Sequence, residues 1–184
     1  MFDKQDDWDL IAAAKGDPEK FTALYDKYLT PIYRYFMARV SHKETAEDLT
    51  SQTFLQAFNA FGSFDAKNKT FAPWLFTIAH NVLVNSYRKK PSLPLSSSFD
   101  IPSTAEQSVE KITDGVISVE YLRQLVKALE DRDQEIVRLR TGDDLSFDQI
   151  GEVLGITETA ARTAYHRAVQ KLISIHQENV NVTI

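Results

Sequence analysis

The sequence predicts an all-α protein composed of two small helical domains joined by a flexible linker. Apolar residues recur at intervals of three and four along most of the 184-residue chain, and helix-start signals precede these stretches. Residues 92–117, which contain three consecutive serines and two prolines, lack this periodicity and are predicted to form the linker. The other predicted boundaries are 1–91 for the first domain, 118–176 for the second domain and 177–184 for a tail.

The composition excludes several classes of function. The chain contains no cysteine, which rules out a disulfide scaffold, a cysteine-based metal centre and a thiol nucleophile. The histidines lack the spacing of a metal site, and no glycine-rich nucleotide-binding motif is present. Neither a membrane span nor a secretory signal is recognisable. We therefore predict a cytoplasmic protein that is not an enzyme, holds no metal or cofactor and has no membrane insertion of its own.

Start signals predict the helices of the first domain up to residue 61. Asp17-Pro18 is an N-cap followed by proline in the first turn, and Thr30-Pro31 repeats the pattern and predicts a second start. Ser41 and Glu44 have the spacing of a capping box and predict a third start. The acidic residues ahead of these helices are interpreted as a solvated leader: Asp6, Asp7 and Asp9.

The last helix of the first domain is predicted to begin at Pro73, after a polar loop at residues 62–70, and to end on the basic residues 88–90. Aromatic side chains alternate here with basic and amide groups, which suits a stacking platform for single-stranded bases. The helical spacing of the apolar residues favours the other interpretation, a packed core, for most of these rings. The rings concerned are Phe61, Phe64, Phe71, Trp74, Phe76 and Tyr87.

The second domain is predicted to contain four helices, the last two of which form a helix-turn-helix. The predicted helices are residues 118–130, 132–140, 147–154 and 158–176. Asp131 is predicted to separate the first two. Ser146 and Gln149 have capping-box spacing ahead of the third helix.

The helix-turn-helix carries the sharpest functional signal in the sequence. Gly151 is small where a second helix would cross, Gly155 suits the tight turn, and Leu154 and Ile156 are the apolar residues beside that turn. The final helix offers side chains that suit base edges and phosphates in a major groove: Thr159, Arg162, Thr163 and Arg167. DNA binding is the favoured interpretation, and a helical hairpin used only for packing is the alternative.

Four segments in order carry a resemblance to a known family. They are FTALYDKYLTPIYRY at residues 21–35, AEDLTSQTFLQAF at residues 46–58, WLFTIAHNVLVNSYRKK at residues 74–90, and the helix-turn-helix. Together with the linker between them, these segments resemble bacterial RNA polymerase sigma factors of the extracytoplasmic-function (group IV) type of the sigma-70 family. The resemblance covers about residues 8–91 and 118–173. It implies a region 2 helical bundle followed by a region 4 helix-turn-helix.

The resemblance implies a protein that binds core RNA polymerase and directs promoter-specific transcription initiation. The implied partners are the polymerase β′ clamp helices and β flap, promoter DNA and an anti-sigma factor. By position, the residues that would face the clamp helices are Glu47, Asp48, Leu49, Gln52 and Thr53. We expect Asp48 and Leu49 on an exposed side of a helix whose Phe54 and Phe58 are buried. Without the resemblance, Glu47 and Asp48 are ordinary early-helix acids that the dipole favours.

The resemblance also implies two DNA contacts. The residues implied in minus-10 recognition and phosphate contact are Phe64, Asp65, Lys67, Asn81, Arg88, Lys89 and Lys90. The residues implied in minus-35 recognition are Thr159, Arg162, Thr163, His166, Arg167 and Lys171. The chain departs from the family at Ala161 and Ala164, where Val and Arg are common, and the second departure predicts an altered minus-35 contact near the groove wall. Tyr165 replaces a usual Leu, which a core accepts.

The net charge of −5 bears on the choice between functions. DNA affinity depends largely on neutralised phosphates, so an acidic chain is poorly suited to binding DNA alone. A partner that supplies positive charge, as polymerase would, removes this difficulty. The alternative is a self-sufficient helix-turn-helix regulator whose first domain senses a ligand or dimerises.

Overall fold

The computed structural model describes residues 4–89 and 119–182, which form two compact units of helices. No strand is present in these residues, which confirms the predicted all-α class. The predicted linker and Lys90 lie outside them, so the predicted domain boundaries stay predictions. Within the same residues, no helix combines the length and apolar character needed to cross a membrane.

In residues 4–89 the first unit contains four α-helices and one short 3-10 turn. The helices are α1 (Lys4–Gly16), α2 (Phe21–Met37), α3 (Lys43–Phe61) and α4 (Phe71–Lys89), and the 3-10 turn is Pro18–Lys20. As predicted, the Asp17 carboxylate accepts a hydrogen bond from the Glu19 amide at 3.1 Å and caps this turn. Helix α2 packs against α1, α3 and α4, so its apolar stripe is the centre of the unit.

The predicted helix start at Thr30-Pro31 is wrong, because α2 continues through Pro31. Proline cannot donate the backbone hydrogen bond that the helix expects at this position. The stripe of buried residues nevertheless continues on both sides of the proline, with Leu24 and Tyr28 before it and Ile32 and Tyr35 after it. Burial of this stripe outweighs the lost hydrogen bond.

The interpretation of the acidic leader as solvated is wrong at Asp7. This residue lies in α1 and is 1% exposed. Its carboxylate accepts a hydrogen bond from the Tyr28 hydroxyl at 2.6 Å and forms an ion pair with Lys27 at 3.0 Å. Asp7 thus anchors α1 to α2, whereas Asp9 is exposed as expected.

Two further helix starts of the first unit differ from the prediction. The predicted N-cap at Ser41 is wrong: α3 begins at Lys43, and its N-cap is His42, whose side chain makes no capping hydrogen bond. Ser41 is therefore one residue too early to act as the cap. Helix α4 begins at Phe71 instead of Pro73, and Pro73 still lies in the first turn, where a backbone N–H has no partner within the helix.

The described part of the second unit, residues 119–182, contains four helices: α5 (Val119–Lys127), α6 (Asp131–Thr141), α7 (Phe147–Leu154) and α8 (Glu158–Val182). Asp131 was predicted to separate the first two helices but is the first residue of α6, where acids suit the helix N-terminus. Helix α8 continues six residues past His176 into the predicted tail. His176 and Asn179 both contact the Tyr121 hydroxyl, which ties this extension to α5.

The turn between α7 and α8 confirms the predicted helix-turn-helix geometry. Ser146 and Gln149 form both hydrogen bonds of a capping box, at 3.2 and 2.9 Å. Gly155 ends α7 in the left-handed conformation with φ of 66°. A Cβ atom at Gly151 would lie 2.7 Å from the Ile156 carbonyl oxygen, so only glycine permits this crossing.

Gly151→Ala should destabilise the second unit by about 1–3 kcal/mol, because the added Cβ atom would clash with the Ile156 carbonyl oxygen and force the backbone of the turn to shift. Hydrogen exchange should then accelerate in α7 and α8, while Trp8 and Trp74 fluorescence should report an unchanged first unit. Gly16→Ala is the matched control, since a Cβ atom there meets nothing within 4 Å. Equal exchange in parent and Gly151→Ala proteins would contradict the close crossing.

Candidate nucleic-acid interface

Helix α8 separates a packing face from a polar face. Ala161 and Ala168 are fully buried, and Tyr165 and Leu172 pack against the core of the unit. The six residues expected to read duplex DNA are all exposed: Thr159, Arg162, Thr163, His166, Arg167 and Lys171. At 100° per residue these six positions fall within about 180° of the helix circumference. One continuous polar face is therefore available to a duplex.

The two departures from the family pattern lie on the packing side of α8. Ala161 has no exposed surface, so its small size alters packing within the unit. Ala164 is half-buried beside the same stripe, and its contact with a groove wall stays a prediction. Tyr165 is accommodated by the core, as expected.

Both arginines of the polar face are paired with carboxylates. Arg162 pairs with Glu158 one turn earlier, and its guanidinium lies 5.0 Å from the Phe147 ring centre. Arg167 donates a hydrogen bond from Nη2 to Asp133 Oδ1 at 2.7 Å. The hydrogen bond and charge of Asp133, with a smaller contribution from Glu130, raise the pKa of Arg167 above its ordinary value. Sequence reasoning missed Asp133, which lies 34 residues away from Arg167 along the chain.

A second polar stripe runs along α4. Asn81 and Arg88 are exposed and seven residues apart, so they lie on the same face, and Asn85 is exposed between them. Lys89 is exposed in the last turn. The Tyr87 hydroxyl donates a hydrogen bond to the Arg39 carbonyl at 2.7 Å, which secures this end of α4 to the end of α2. Asn85 was missed by the sequence analysis, although its spacing from Asn81 was a usable signal.

The predicted role of Phe64 in holding a base is wrong, because this ring is buried. Phe64 lies 4.7 Å from Trp74 and 5.8 Å from Phe71, measured between ring centres. Phe61, Phe71 and Phe76 are also buried, so the core interpretation of the aromatic residues is confirmed for these rings. The stacking-platform interpretation therefore fails for these four rings, because Phe64 of the loop is packed into the core with the other three.

The exposed tip of this loop is organised by Asp65. Its carboxylate accepts hydrogen bonds from the Asn68 side chain at 2.8 Å and the Lys67 amide at 3.1 Å. These bonds, with Asn68 the larger contributor, lower the pKa of Asp65 from its ordinary value of 3.8. Lys67 is exposed beside it.

The expected clamp-facing surface of α3 is only partly correct. Glu47, Asp48 and Gln52 are exposed, but Leu49 and Thr53 are buried. The Thr53 hydroxyl donates to the Leu49 carbonyl at 2.8 Å, so its polar group is satisfied inside the helix. The two buried residues therefore hold α3 in the unit, although Leu49 also lines the groove between α3 and α4.

Phe58, expected in the core, is instead 48% exposed. Its ring centre lies 5.3 Å from that of Phe21, and the two ring planes are inclined at 73°. Leu55, one turn earlier, is 62% exposed, so an apolar patch adjoins the acidic and amide residues of α3. The helical pattern placed Phe58 at the edge of the apolar stripe, where burial depends on the neighbouring helix.

A groove of about 520 Å³ separates the polar sides of α3 and α4. Asp48 and Gln52 line it from α3, and Asn85 and Lys89 line it from α4. The exposed polar residues of α3 and the polar stripe of α4 therefore border the same groove. In the described part of the chain, no group of three or more histidine or acidic residues could hold a metal ion.

Comparisons with known proteins define the class of each unit. Residues 24–92 match the family model for Sigma-70 region 2, and residues 119–172 match the model for Sigma-70, region 4. RNA polymerase sigma factor YlaC of Bacillus subtilis is 34% identical over 148 residues, which cover 79% of this chain and 85% of YlaC. The chain belongs to the sigma-70 family of RNA polymerase sigma factors, in its extracytoplasmic-function group.

A second relative extends this result. The extracytoplasmic-function sigma factor BldN of Streptomyces coelicolor is 36% identical over 169 residues, which cover 87% of this chain. The match spans 61% of BldN. Both relatives are named as sigma factors.

Two solved structures share the fold at low identity. CnrH, in complex with the cytosolic domain of CnrY, matches with a TM-score of 0.63 and 20% identity over 92% of this chain and 96% of that chain. RpoE of Bartonella quintana, in complex with the anti-sigma factor NepR, matches with a TM-score of 0.62 and 17% identity over 86% of this chain and 98% of that chain.

Asn68→Ala should return the Asp65 pKa toward 3.8, because it removes the larger of the two hydrogen bonds to the carboxylate. In the parent protein the loop contacts should persist above pH 3.8 and disappear as the pH falls through the lowered pKa. Side-chain carboxyl NMR titration measures both values, and Ser63→Ala, which leaves these two bonds intact, is the control. An unshifted Asp65 pKa in the parent protein would contradict the described loop.

Proposed function

We propose that this chain binds core RNA polymerase and directs it to specific promoters, with α8 reading the minus-35 duplex and the first unit reading melted minus-10 DNA. The observation that carries the proposal is the coexistence of two exposed polar faces, on α8 and on α4, in units that match regions 4 and 2. The chain supplies recognition, and the chemistry belongs to the polymerase. We further propose that it acts in the cytoplasm and is not itself an enzyme.

The α8 face has the chemistry for duplex reading. Its arginines and histidine suit guanine edges and phosphates, and its threonines can donate and accept hydrogen bonds. A helix of the helix-turn-helix type enters the major groove with its amino-terminal residues at the bases. Thr159, Arg162 and Thr163 are the base-reading candidates on this geometry, while His166, Arg167 and Lys171 lie further along the helix.

The α4 stripe and the adjoining loop suit single-stranded DNA. The Asn81 amide can both donate to and accept from an exposed base edge, which is available only after melting. Lys67 on the loop and Arg88 and Lys89 at the helix end supply positive charge for backbone phosphates, and Lys90, which lies outside the described residues, adds a further charge next to them in the sequence. Asp65 acts by shaping the loop through its two hydrogen bonds, and Phe64 supports the loop from within the core.

The α3 surface is the proposed contact with the β′ clamp helices. Glu47, Asp48 and Gln52 supply polar complementarity, and the exposed Leu55 and Phe58 supply apolar area that a partner can bury. The second unit is proposed to contact the β flap. An anti-sigma factor is proposed as a further partner, supported by the two related complexes described above.

The self-sufficient regulator is the weaker candidate. It requires a ligand-sensing or dimerising first unit, whereas residues 24–92 match region 2. The net charge of −5 also disfavours tight DNA binding by the free chain. The deciding experiment compares transcription by core polymerase with and without the chain, on promoters selected from a random library. Nanomolar sequence-specific binding by the free chain, with no gain from polymerase, would overturn the proposal.

Asp48→Arg should weaken binding to core polymerase by tenfold or more while leaving the fold intact, because it reverses an exposed charge and removes no core volume. Glu19→Arg is the matched control, an exposed charge reversal away from α3. Affinity for core polymerase and circular dichroism are the two measurements. If both variants bound core polymerase with equal affinity, Asp48 would not be part of the interface.

Asn81→Ala should slow open-complex formation without changing affinity for the minus-35 duplex. Its effect should depend on base identity when the assay is repeated on pre-melted bubbles of different sequence, because an amide reads base edges. Asn85→Ala on the same stripe shows whether the effect is specific to position 81. An identical loss on every bubble would mean that Asn81 does not read a base.

A further inference from the structure

A buried carboxylate lies directly beneath one arginine of the α8 face. Asp133 is in the first turn of α6 and is 4% exposed. Its Oδ1 accepts the hydrogen bond from Arg167 Nη2, while the Arg167 side chain remains 65% exposed. The pair therefore joins the core of the second unit to its polar surface.

This geometry restricts a side chain that would otherwise sample many rotamers. A guanidinium group has five N–H donors, and Asp133 engages one edge of it. Because Asp133 is buried on a helix, it cannot follow Arg167 to a new position, so the guanidinium is held with its remaining donors toward solvent. An arginine fixed in this way loses less conformational entropy when it binds a ligand.

The location of Arg167 indicates which part of a duplex it would meet. It lies eight residues after Thr159, about 12 Å further along α8 at 1.5 Å per residue. The amino-terminal residues of a recognition helix contact base edges, whereas residues further along the helix meet the walls of the groove. Those walls are formed by the sugar-phosphate backbone.

We propose that Asp133 is a positioning residue that holds Arg167 for a backbone-phosphate contact beside the minus-35 element. The inference rests on the proposed function of α8 and adds a residue outside the recognition helix to the DNA-binding apparatus. The raised pKa of Arg167 agrees with it, since the guanidinium stays charged at every physiological pH.

The direction in which one substitution changes DNA affinity distinguishes a positioning role from a purely electrostatic one. Asp133→Asn removes a negative charge near DNA, which by charge alone should raise affinity. Positioning predicts the opposite: about a fivefold loss of affinity, because the neutral amide holds Arg167 more weakly. Asp131→Asn is the matched control, since it removes an exposed charge from the same helical turn. It should leave affinity unchanged or slightly raised.

The experiment uses the full chain assembled with core polymerase and promoter duplexes selected by that complex. Dissociation constants are measured over a range of salt concentrations for the parent, Asp133→Asn, Arg167→Gln and the double variant. We expect the Asp133→Asn loss to disappear in the Arg167→Gln background, with Arg167→Gln reducing the salt slope by about one unit. We also expect the Asp133→Asn loss to be equal on duplexes that differ in minus-35 bases.

Four results would overturn parts of this scheme separately. An undiminished Asp133→Asn loss in the Arg167→Gln background would mean that Asp133 only stabilises the fold, and a gain of affinity would mean that it acts only by charge. A loss that depends on the minus-35 base would make Arg167 a base reader. If the parent complex bound promoters no better than core polymerase alone, the proposed function itself would fail.

Discussion

The close crossing of α7 and α8 at Gly151 is the constraint on which the second unit depends. With no Cβ atom at this position, the backbone of the following turn approaches to a distance that no other residue permits. That approach sets the rotation of α8 about its own axis, so the small side chains of Ala161 and Ala168 meet the core. The opposite face, with every polar residue discussed for duplex reading, is then directed outward as a consequence of packing.

The first unit presents the two proposed contact surfaces around a single core. Helix α2 fills the interior with large side chains, and the remaining sides of α3 and α4 are left for contact with other molecules. Leu49 and Thr53 illustrate the division, since they occupy the inner side of the same helix that exposes Asp48 and Gln52. Substitutions in one surface are therefore separable from substitutions in the other, although both surfaces border the same groove.

The sequence was informative where an interaction is local. The capping box at Ser146 and Gln149 and the left-handed Gly155 follow from neighbouring residues, and both were predicted. It was misleading where a distant partner decides the outcome. Asp7 is buried because Tyr28 and Lys27 meet it, and Phe64 is buried because the loop folds onto Trp74. Amphipathic spacing identifies the apolar stripe of a helix but does not specify the edges of that stripe. Phe58, which was expected to be buried, is therefore exposed, and Leu49, which was expected to be exposed, is buried.

The pairing of Arg162 and Arg167 with carboxylates has a consequence for how this helix would search a genome. Nonspecific binding is governed by the number of counterions that a cationic surface displaces from any sequence. Because both arginines are already paired with carboxylates, they add less to binding on any sequence than two unpaired arginines would. In the proposed function, the second unit would thus leave wrong sequences quickly, and the discrimination between a promoter and the vast excess of other DNA would rest on dwell time.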